Sequence, residues 1–248
     1  MKRAFILLSV LASSIALTAQ ECPNPSGIPE GFEVLFNGAD FTNWEVPEGD
    51  NGHWQILDGV IDYDAQSEAE DKNLWSEKSY TDFILYVDWR IKETPFINPN
   101  VPIILPDGSH KRNAEGEEIR MKVPDTDSGI YLRGSSKSQV NIWCWPVGSG
   151  EVYGYRMDRS MPARVRSGVT PALIADRNIG EWNTFRIKVE GNQLTVDLNG
   201  QRVLDEAELP GLPEEGPIAL QHHGNKVDGK WVSPPALVQF KNIYIKEL

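Results

Sequence analysis

The sequence has little helical periodicity and a deficit of positive charge. Apolar residues seldom recur at the spacing of an amphipathic helix, and only short pieces such as DEAELPG could form one helical turn. Lys and Arg number 24 against 36 Asp and Glu, and the formal net charge of −12 disfavours nucleic acids and anionic membrane surfaces as partners. The 248 residues are enough for one all-β domain of ordinary size.

Cysteine is scarce as well. Cys22 and Cys144 are the two cysteines of the chain, and two cysteines form no metal-binding motif. They could pair in an oxidising compartment. The alternative is that Cys144 is simply a small core residue.

A long apolar run occurs only at the start of the chain. Lys2 and Arg3 precede AFILLSVLASSIAL, and small residues follow at Thr18 and Ala19. This order is typical of a secretory signal peptide, here residues 1–19, and a buried N-terminal helix is the alternative. The run is too short to span a bilayer comfortably and no second run follows, so we expect no membrane span. We therefore expect a secreted or periplasmic protein.

Alternation of apolar and polar residues with a period of two dominates the rest of the chain, as in strands with one buried face. The apolar sets are Phe83, Leu85, Val87, Trp89 and Ile91; Ile130 and Leu132; Val140, Ile142 and Cys144; Phe185, Ile187 and Val189; and Leu194, Val196 and Leu198. Turns such as Asn199-Gly200 join these runs as hairpins. The pattern predicts an all-β fold, a two-sheet antiparallel jelly-roll sandwich, in a single domain over residues 20–248.

Residues 93–127 interrupt this alternation. The segment has several prolines, mixed charges and little period. Long irregular connections in compact domains are usually functional. We expect an insertion at one rim of the sandwich that covers or shapes a groove, with an ordinary surface insertion as the alternative.

The side chains that alternate away from the predicted core are unusual for a solvent-facing strand. They are Asp88, Arg90, Tyr131, Arg133, Gln139, Asn141, Trp143, Gln221 and His223. Amides and guanidinium groups can hydrogen-bond vicinal hydroxyls, and aromatic rings can cover the apolar face of a pyranose. The pattern predicts a carbohydrate cleft on a concave sheet, and a solvated face with incidental aromatics is the alternative.

Five blocks follow one another along about residues 30–248: GFEVLFNGADFTNW, GIYLRG, GEWNTFRIKVEGNQLTVDLNG, GPIALQHHG and FKNIYIKEL. As an ordered set they resemble the signature blocks of the 3-keto-disaccharide hydrolase domain family. The resemblance implies a concanavalin-A-like jelly roll. It also implies action on glycosides oxidised at the third sugar carbon, by hydrolysis or by elimination across carbons 1 and 2.

The sequence departs from this family at one informative place. Members often carry Tyr-Glu-Val-Gln after the Leu-Arg-Gly turn, whereas this chain has Ser138-Gln139-Val140-Asn141. Gln139 stands where the family has glutamate, which puts any role of that carboxylate in doubt. The change also argues against a retaining glycosidase, because such an enzyme needs two carboxylates close together.

A ketone at carbon 3 makes the hydrogen on carbon 2 acidic, so cleavage needs a base, a donor at the ketone oxygen and an acid at the leaving oxygen. His223 is the candidate base, because an imidazole changes charge near neutral pH. Arg133 is the candidate at the ketone oxygen. Glu151 could replace the missing carboxylate, with Tyr153 as a second acid. The structural alternatives are a loop-capping His223, an Arg133–Asp88 ion pair and a plain loop carboxylate at Glu151.

The remaining expectations concern ligands and partners. The predicted substrate contacts are Asp88, Tyr131, Gln139, Asn141, Trp143, Tyr153 and Gln221. No cofactor is indicated with certainty. A divalent metal would help an enolate form, but no spacing is a metal signature, and adjacent histidines on a strand point to opposite faces. The chemistry further implies a carbohydrate substrate and a functional link to a sugar 3-dehydrogenase.

Two rival functions stay open. One is a non-catalytic, lectin-like carbohydrate-binding module on the same fold, which needs amides and aromatic rings but no acid or base. Gln139 favours this module, whereas His223 and Glu151 favour the enzyme. The other rival is a classical hydrolase of unoxidised glucans, which the missing carboxylate pair disfavours.

Overall fold

The computed structural model describes residues 28–248. The predicted signal peptide and Cys22 lie outside the described residues. In chain order the strands are β1 (Glu33–Val34), β2 (Trp44–Glu45), β3 (Trp54–Leu57), β4 (Val60–Tyr63), β5 (Leu74–Tyr80), β6 (Phe83–Ile91), β7 (Phe96–Pro102), β8 (Arg120–Asp125), β9 (Asp127–Leu132), β10 (Ser135–Trp143), β11 (Asn183–Glu190), β12 (Gln193–Leu198), β13 (Gln201–Glu208), β14 (Gly216–Leu220), β15 (Asn225–Val227), β16 (Lys230–Ser233) and β17 (Val238–Glu247). Two short helices, α1 (Tyr153–Arg156) and α2 (Ala163–Gly168), lie between β10 and β11.

The strands form two large antiparallel sheets. The eight-stranded sheet has the order β13-β12-β11-β6-β17-β4-β3, with β1 also paired to β17. The five-stranded sheet has the order β10-β9-β14-β5-β2. Neighbouring strands that are distant in sequence, such as β6 beside β17 and β9 beside β14, give the crossing connections of a jelly roll. The predicted all-β sandwich is confirmed.

The core lies between the two large sheets. The alternating residues of β6, which belong to the eight-stranded sheet, are buried from Phe83 to Ile91. They join one hydrophobic cluster with Ile130 and Val140 of the five-stranded sheet. Period-two alternation therefore identifies the buried face of both sheets correctly. Cys144 packs against the edge of this cluster, and burial raises the pKa of its thiol to about 12.

The segment 93–127 extends from the sandwich as a hairpin of β7 and β8. Bridges between Ile104 and His110 and between Arg112 and Glu118 continue its pairing towards the tip. Gly108 lies where this tip meets α2, with a φ of 78°. A Cβ at that glycine would lie 2.9 Å from the carbonyl oxygen of Arg166, so the close approach requires glycine.

The connection from β10 to β11 folds back over the outer edge of the five-stranded sheet. Gly154 of α1 lies so near β10 that a Cβ there would be 2.4 Å from the carbonyl oxygen of Lys137. The backbone N–H of Asn141 donates to the carbonyl of Glu151 at 2.9 Å, and the N–H of Gly150 donates to the carbonyl of Asn141 at 2.8 Å. This connection therefore covers the outer edge of β10, the edge strand of the five-stranded sheet, which pairs with β9 on its other side. Over residues 28–248, no helix has the length and apolar character needed to cross a bilayer.

Candidate functional site

The register of the five-stranded sheet brings polar and aromatic residues into one row on its outer face. Tyr131 of β9 faces Gln139 of β10 on one side and Ala219 of β14 on the other. Ala219 in turn faces Trp75 of β5. The row therefore runs from an amide to two rings across four strands, with the small Ala219 between the rings.

A second row lies beside the first. Asn141 faces Gly129, and the backbone N–H of Gln221 donates to the carbonyl of Gly129 at 2.9 Å. A Cβ at Gly129 would lie 2.5 Å from Nε2 of Gln139, so the Gln139 side chain lies directly over this glycine. Glycine at 129 thus leaves room for the Gln139 amide on the outer face.

An amide network connects the two rows. Nε2 of Gln139 donates to the carbonyl of Ser128 at 2.9 Å and to Oε1 of Gln221. Burial raises the pKa of the Tyr131 hydroxyl, and a hydrogen bond with Gln221 opposes that rise. The structure therefore brings three predicted substrate contacts, Tyr131, Gln139 and Gln221, into one network.

A histidine–aspartate pair lies at the end of the same face. Nδ1 of His223 donates to the carbonyl of Pro234 at 2.5 Å, which leaves Nε2 turned towards Asp127, 3.6 Å from its Oδ2. The two side chains are 34% and 25% exposed, so both reach solvent. Desolvation raises the pKa of Asp127 to about 6, and the charge of His223 opposes the rise. We call His223 and Asp127 the dyad.

An aromatic cluster flanks the dyad because Trp143 pairs with Asp127 in the β9–β10 register. The rings of Trp143 and Trp145 stack with centroids 4.2 Å apart and an interplanar angle of 3°. Tyr153 meets both edge-on, at 6.1 and 6.2 Å. Trp143 is buried, whereas Tyr153 is 40% exposed, so Trp143 supports the surface and Tyr153 is the ring open to a ligand.

Arg133 is not part of this site. Its guanidinium donates to the carbonyls of Thr81, Gly191 and Pro213, with distances from 2.5 to 3.1 Å, and to Oδ1 of Asp82 at 2.7 Å. The residue has a φ of 49°, in a turn, so the alternation of β9 ends before it. The prediction that Arg133 holds a ketone oxygen is wrong, because the side chain is buried among structural acceptors.

Asp88 is also away from the site. It lies on β6 of the eight-stranded sheet, where it accepts hydrogen bonds from the Thr184 hydroxyl at 2.5 Å and from Nδ2 of Asn242 at 2.7 Å. Asp88 is on an outer face, as the alternation predicts, but this is the outer face of the eight-stranded sheet, whereas the site is on the five-stranded sheet. Neither its predicted substrate contact nor the alternative Arg133–Asp88 ion pair fits this position.

Glu151 is fully buried rather than poised in a cleft. Its side chain has no exposed area and forms an ion pair with Nε of Arg156, whose side chain is 1% exposed. The prediction of a catalytic acid or base at Glu151 is therefore wrong, because a substrate cannot reach this buried carboxylate. Asn141 is buried too, and its Oδ1 has no hydrogen-bond partner.

The two adjacent histidines follow β14 rather than lying in it, and their side chains have different partners. His222 lies 2.6 Å from the Tyr63 hydroxyl through its Nδ1, and burial lowers its pKa to about 4. Tyr63 belongs to the core, so His222 faces away from the dyad. Within the part of the chain that the structure describes, no three His, Cys, Asp or Glu side chains converge as metal ligands would.

Sequence reasoning missed two members of the site. Asp127 has the same strand parity as Tyr131, which could have placed it on the outer face. Its pairing with His223 arises only from the β9–β14 neighbourhood, which one sequence does not reveal. Trp75 lies in a short strand with a mixed pattern, and its ring centroid is 5.8 Å from that of Tyr131.

Comparison with known proteins agrees with this architecture. Residues 31–246 match the model of the family described as the 3-keto-alpha-glucoside-1,2-lyase-like domain. Two crystal structures from Parabacteroides distasonis ATCC 8503, described as candidate glycosyl hydrolases, share the fold. The first is 22% identical with a TM-score of 0.59, covering 88% of this chain and 84% of the other. The second is 19% identical with a TM-score of 0.56, covering 88% and 94%. No curated protein matches the chain.

Proposed function

We propose, from the premise that the chain belongs to the family of 3-keto-alpha-glucoside-1,2-lyase-like domains, that it cleaves glycosides whose sugar carries a ketone at carbon 3. Family membership by itself indicates a carbohydrate-active protein of the glycoside-cleaving kind. The observation that carries the finer proposal is the dyad, a partly exposed pair able to transfer protons next to amides and aromatic rings.

The dyad supports proton transfer because of its tautomer. With Nδ1 of His223 donating to Pro234, a neutral imidazole turns a lone pair towards the Asp127 carboxyl. At 3.6 Å, Nε2 of His223 and Oδ2 of Asp127 lie just beyond hydrogen-bond distance of each other, so neither is occupied by the other. In the proposed reaction the dyad accepts the proton on carbon 2 of the sugar.

The bond changes then balance without a redox partner. The C2–H bond breaks, its electron pair forms an enolate with the ketone, and the C1–O bond breaks as the enolate collapses. The dyad returns the proton to the leaving oxygen, and the sugar keeps a double bond between carbons 1 and 2. Addition of water to that double bond would give the hydrolysed sugar, so elimination and hydrolysis share their first half.

The amide network supports ligand orientation in this scheme. The Tyr131 hydroxyl is the group with a proton available for a ketone oxygen, because the Gln139 amide already donates to Gln221 and Ser128. This assigns to Tyr131 the role that the sequence predicted for Arg133. Trp75 and Tyr153 provide rings at two sides of the face.

The test is aglycone release from a 3-keto-glucoside and from the matching unoxidised glucoside, with and without a chelator. We expect release from the keto substrate alone and loss of release in His223→Ala. His53→Ala is a matched control, since His53 forms another histidine–aspartate pair, with Asp64 at 3.0 Å. Mass spectrometry separates the routes, because the elimination product is one water lighter than the hydrolysis product.

The carbohydrate-binding alternative is an outcome of the same assay. It is favoured by Gln139, which occupies the family's glutamate position and is engaged in the amide network. Binding of the keto-glucoside without aglycone release would overturn the enzyme proposal in favour of that module. Release from the unoxidised glucoside at an equal rate would overturn both.

Two expectations complete the proposal. We propose a secreted or periplasmic location, on the basis of the signal-like residues 1–19. We also propose that a sugar 3-dehydrogenase supplies the substrate, because the ketone must be made by oxidation of the sugar hydroxyl at carbon 3. Detection of the processed chain in an export fraction, with its new N-terminus near residue 20, tests the first.

A further inference from the structure

A pocket of about 380 Å³ lies where the tip of the β7–β8 hairpin meets α1 and α2. Five arginines line it, and we call it the arginine pocket: Arg112, Arg120, Arg156, Arg159 and Arg166. The protein as a whole has a net charge of −12. A concentration of five guanidinium groups in one recess therefore opposes the overall charge and indicates a selective anion site.

The lining has too few carboxylates to neutralise these arginines. Glu118 is the acidic residue in the lining, and it is shared by Arg112 at 3.1 Å, Arg120 at 2.6 Å and His110 at 3.1 Å. Behind the wall, Glu151 pairs with Arg156. Asp107, beside the hairpin-tip residue Gly108, also interacts with the charge of Arg166. Three carboxylates thus stand against five guanidinium groups, which leaves an excess of positive charge.

Arg159 and Arg166 hold this excess. Among residues 28–248, neither side chain has a hydrogen bond or an ion pair, and Nε of Arg166 is buried without a partner. Arg156 is 2% exposed, and its buried Nη2 also lacks a partner. Desolvation lowers the pKa of Arg156 to about 10, so it remains charged at neutral pH. Unpaired buried donors of this kind favour an anionic acceptor.

The pocket is preformed. Nη1 of Arg112 donates to the carbonyl of Gly116 at 2.6 Å, and Nη1 of Arg120 donates to the carbonyl of Asn100 at 2.8 Å. The close contact of Gly108 with α2 fixes the hairpin tip against the helix. An anion could therefore bind without a large rearrangement of the walls.

Tyr153 connects this pocket to the sugar face. The guanidinium carbon of Arg156 lies 5.4 Å from the centroid of the Tyr153 ring. The same ring meets Trp143 and Trp145, which flank the dyad. A saccharide lying along the aromatic cluster could thus reach both places.

We propose that the arginine pocket binds an oxoanion group, a carboxylate, sulfate or phosphate, carried by the saccharide substrate. The proposal rests on the carbohydrate function above, and adds that the substrate is acidic. Guanidinium forks match the paired oxygens of such groups, which a neutral sugar does not offer. The pocket is separate from the dyad, so it would select the substrate rather than take part in bond cleavage.

The test is calorimetric binding, at fixed ionic strength, of a neutral glucose disaccharide and of the matching disaccharide with one glucuronate. Neither needs turnover, so failure of the cleavage proposal does not affect the result. We expect the acidic disaccharide to bind at least about tenfold more tightly. Arg159→Gln combined with Arg166→Gln should abolish the preference. Arg164→Gln should keep it, because Arg164 lies on α2 outside the pocket and pairs with Glu208.

Inorganic sulfate and phosphate form further arms of the experiment. Competition of these ions with the acidic disaccharide, lost in the double variant, supports the proposal. Equal affinity for the two disaccharides overturns it, as does a preference that survives in the double variant. Binding of the inorganic ions alone overturns the saccharide assignment. The His223→Ala protein should show the same preference as the parent, which separates recognition from cleavage.

Discussion

The two ends of strand β9 each carry a charged residue, and they differ in how far neighbours satisfy it. Arg133 follows one end and donates to four acceptors in a buried setting. Asp127 begins the other end, where Nε2 of His223 lies 3.6 Å from its carboxyl and solvent reaches both side chains. The two positions are six residues apart, about 20 Å along a strand. The comparison teaches that a charged side chain whose hydrogen bonds are all made by the protein stabilises the fold, whereas one with few partners and access to solvent is free to act on a ligand.

The largest expected effect is at the Asp127 end of β9, where the dyad lies. His223→Ala should lower aglycone release from a 3-keto-glucoside by about 10²–10⁴-fold, because general acid–base groups contribute that much. The melting temperature should stay close to that of the parent, since the side chain is one-third exposed. His53→Ala should retain the parent rate. A His223→Ala protein with the parent rate would remove the contrast between the two ends.

At the other end of β9, substitution of Arg133 should lower the stability of the fold rather than the activity. Arg133→Met leaves three carbonyls and one carboxylate without their donor, so we expect the free energy of unfolding to fall by about 3–5 kcal/mol. Urea denaturation measures this change. Arg90→Met is the matched control, because Nε of Arg90 donates to Oε1 of Gln239 on a part-buried face, and it should lose about 1 kcal/mol. Loss of turnover in a folded Arg133→Met protein would contradict this prediction, because it would show that Arg133 acts in the site.

The pH dependence of stability sharpens the comparison at Asp127. Its folded pKa is raised to about 6 from 3.8, so the folded protein binds more protons between those values. Stability from this group is therefore present below about pH 4 and is lost as the pH rises through about 6. Asp127→Asn should remove that decline and raise the free energy of unfolding at pH 8 by about 1–3 kcal/mol. Denaturation at a series of pH values would contradict this if both proteins showed the same slope.

The smallest effect concerns the charged partner of Arg133. Asp82→Asn keeps an oxygen for Nη2 of Arg133 and for the backbone N–H of Gly191, and removes only the charge. Because Asp82 is 39% exposed, we expect a loss of about 0.5–1 kcal/mol in urea denaturation. Asp205→Asn, at a more exposed ion pair with Arg202, is the control and should change stability less. A loss as large as that of Arg133→Met would show that the ion pair, not the carbonyls, dominates this end.

Period-two alternation was sufficient to predict the sheets and their buried faces. The alternating apolar residues of β6, from Phe83 to Ile91, and Ile130 on β9 are buried as the pattern requires. The network of Tyr131, Gln139 and Gln221 was also predictable, because the first two residues lie in strands and Gln221 directly follows β14. Whether a residue has an odd or even position along a strand decides which face of the sheet it is on, as long as the backbone stays extended.

The failures arise where local information ends. Arg133 adopts a left-handed φ of 49°, which turns its side chain out of the alternation. Asp88 has the expected parity, but parity does not tell which sheet a strand joins. Glu151 is buried by Arg156, five residues later in a short helix whose position depends on packing against β10. Tertiary contacts decide each of these cases.

The position of β17 has a consequence for how the chain acquires its structure. This strand, formed by Val238–Glu247, lies between β6 and β4 and also pairs with β1, so the larger sheet stays divided until β17 has been synthesised. Pairings over such long sequence separations form slowly. A nascent chain should therefore remain unfolded until β17 emerges, and deletion of Val238–Glu247 should yield an aggregating polypeptide rather than a smaller stable domain.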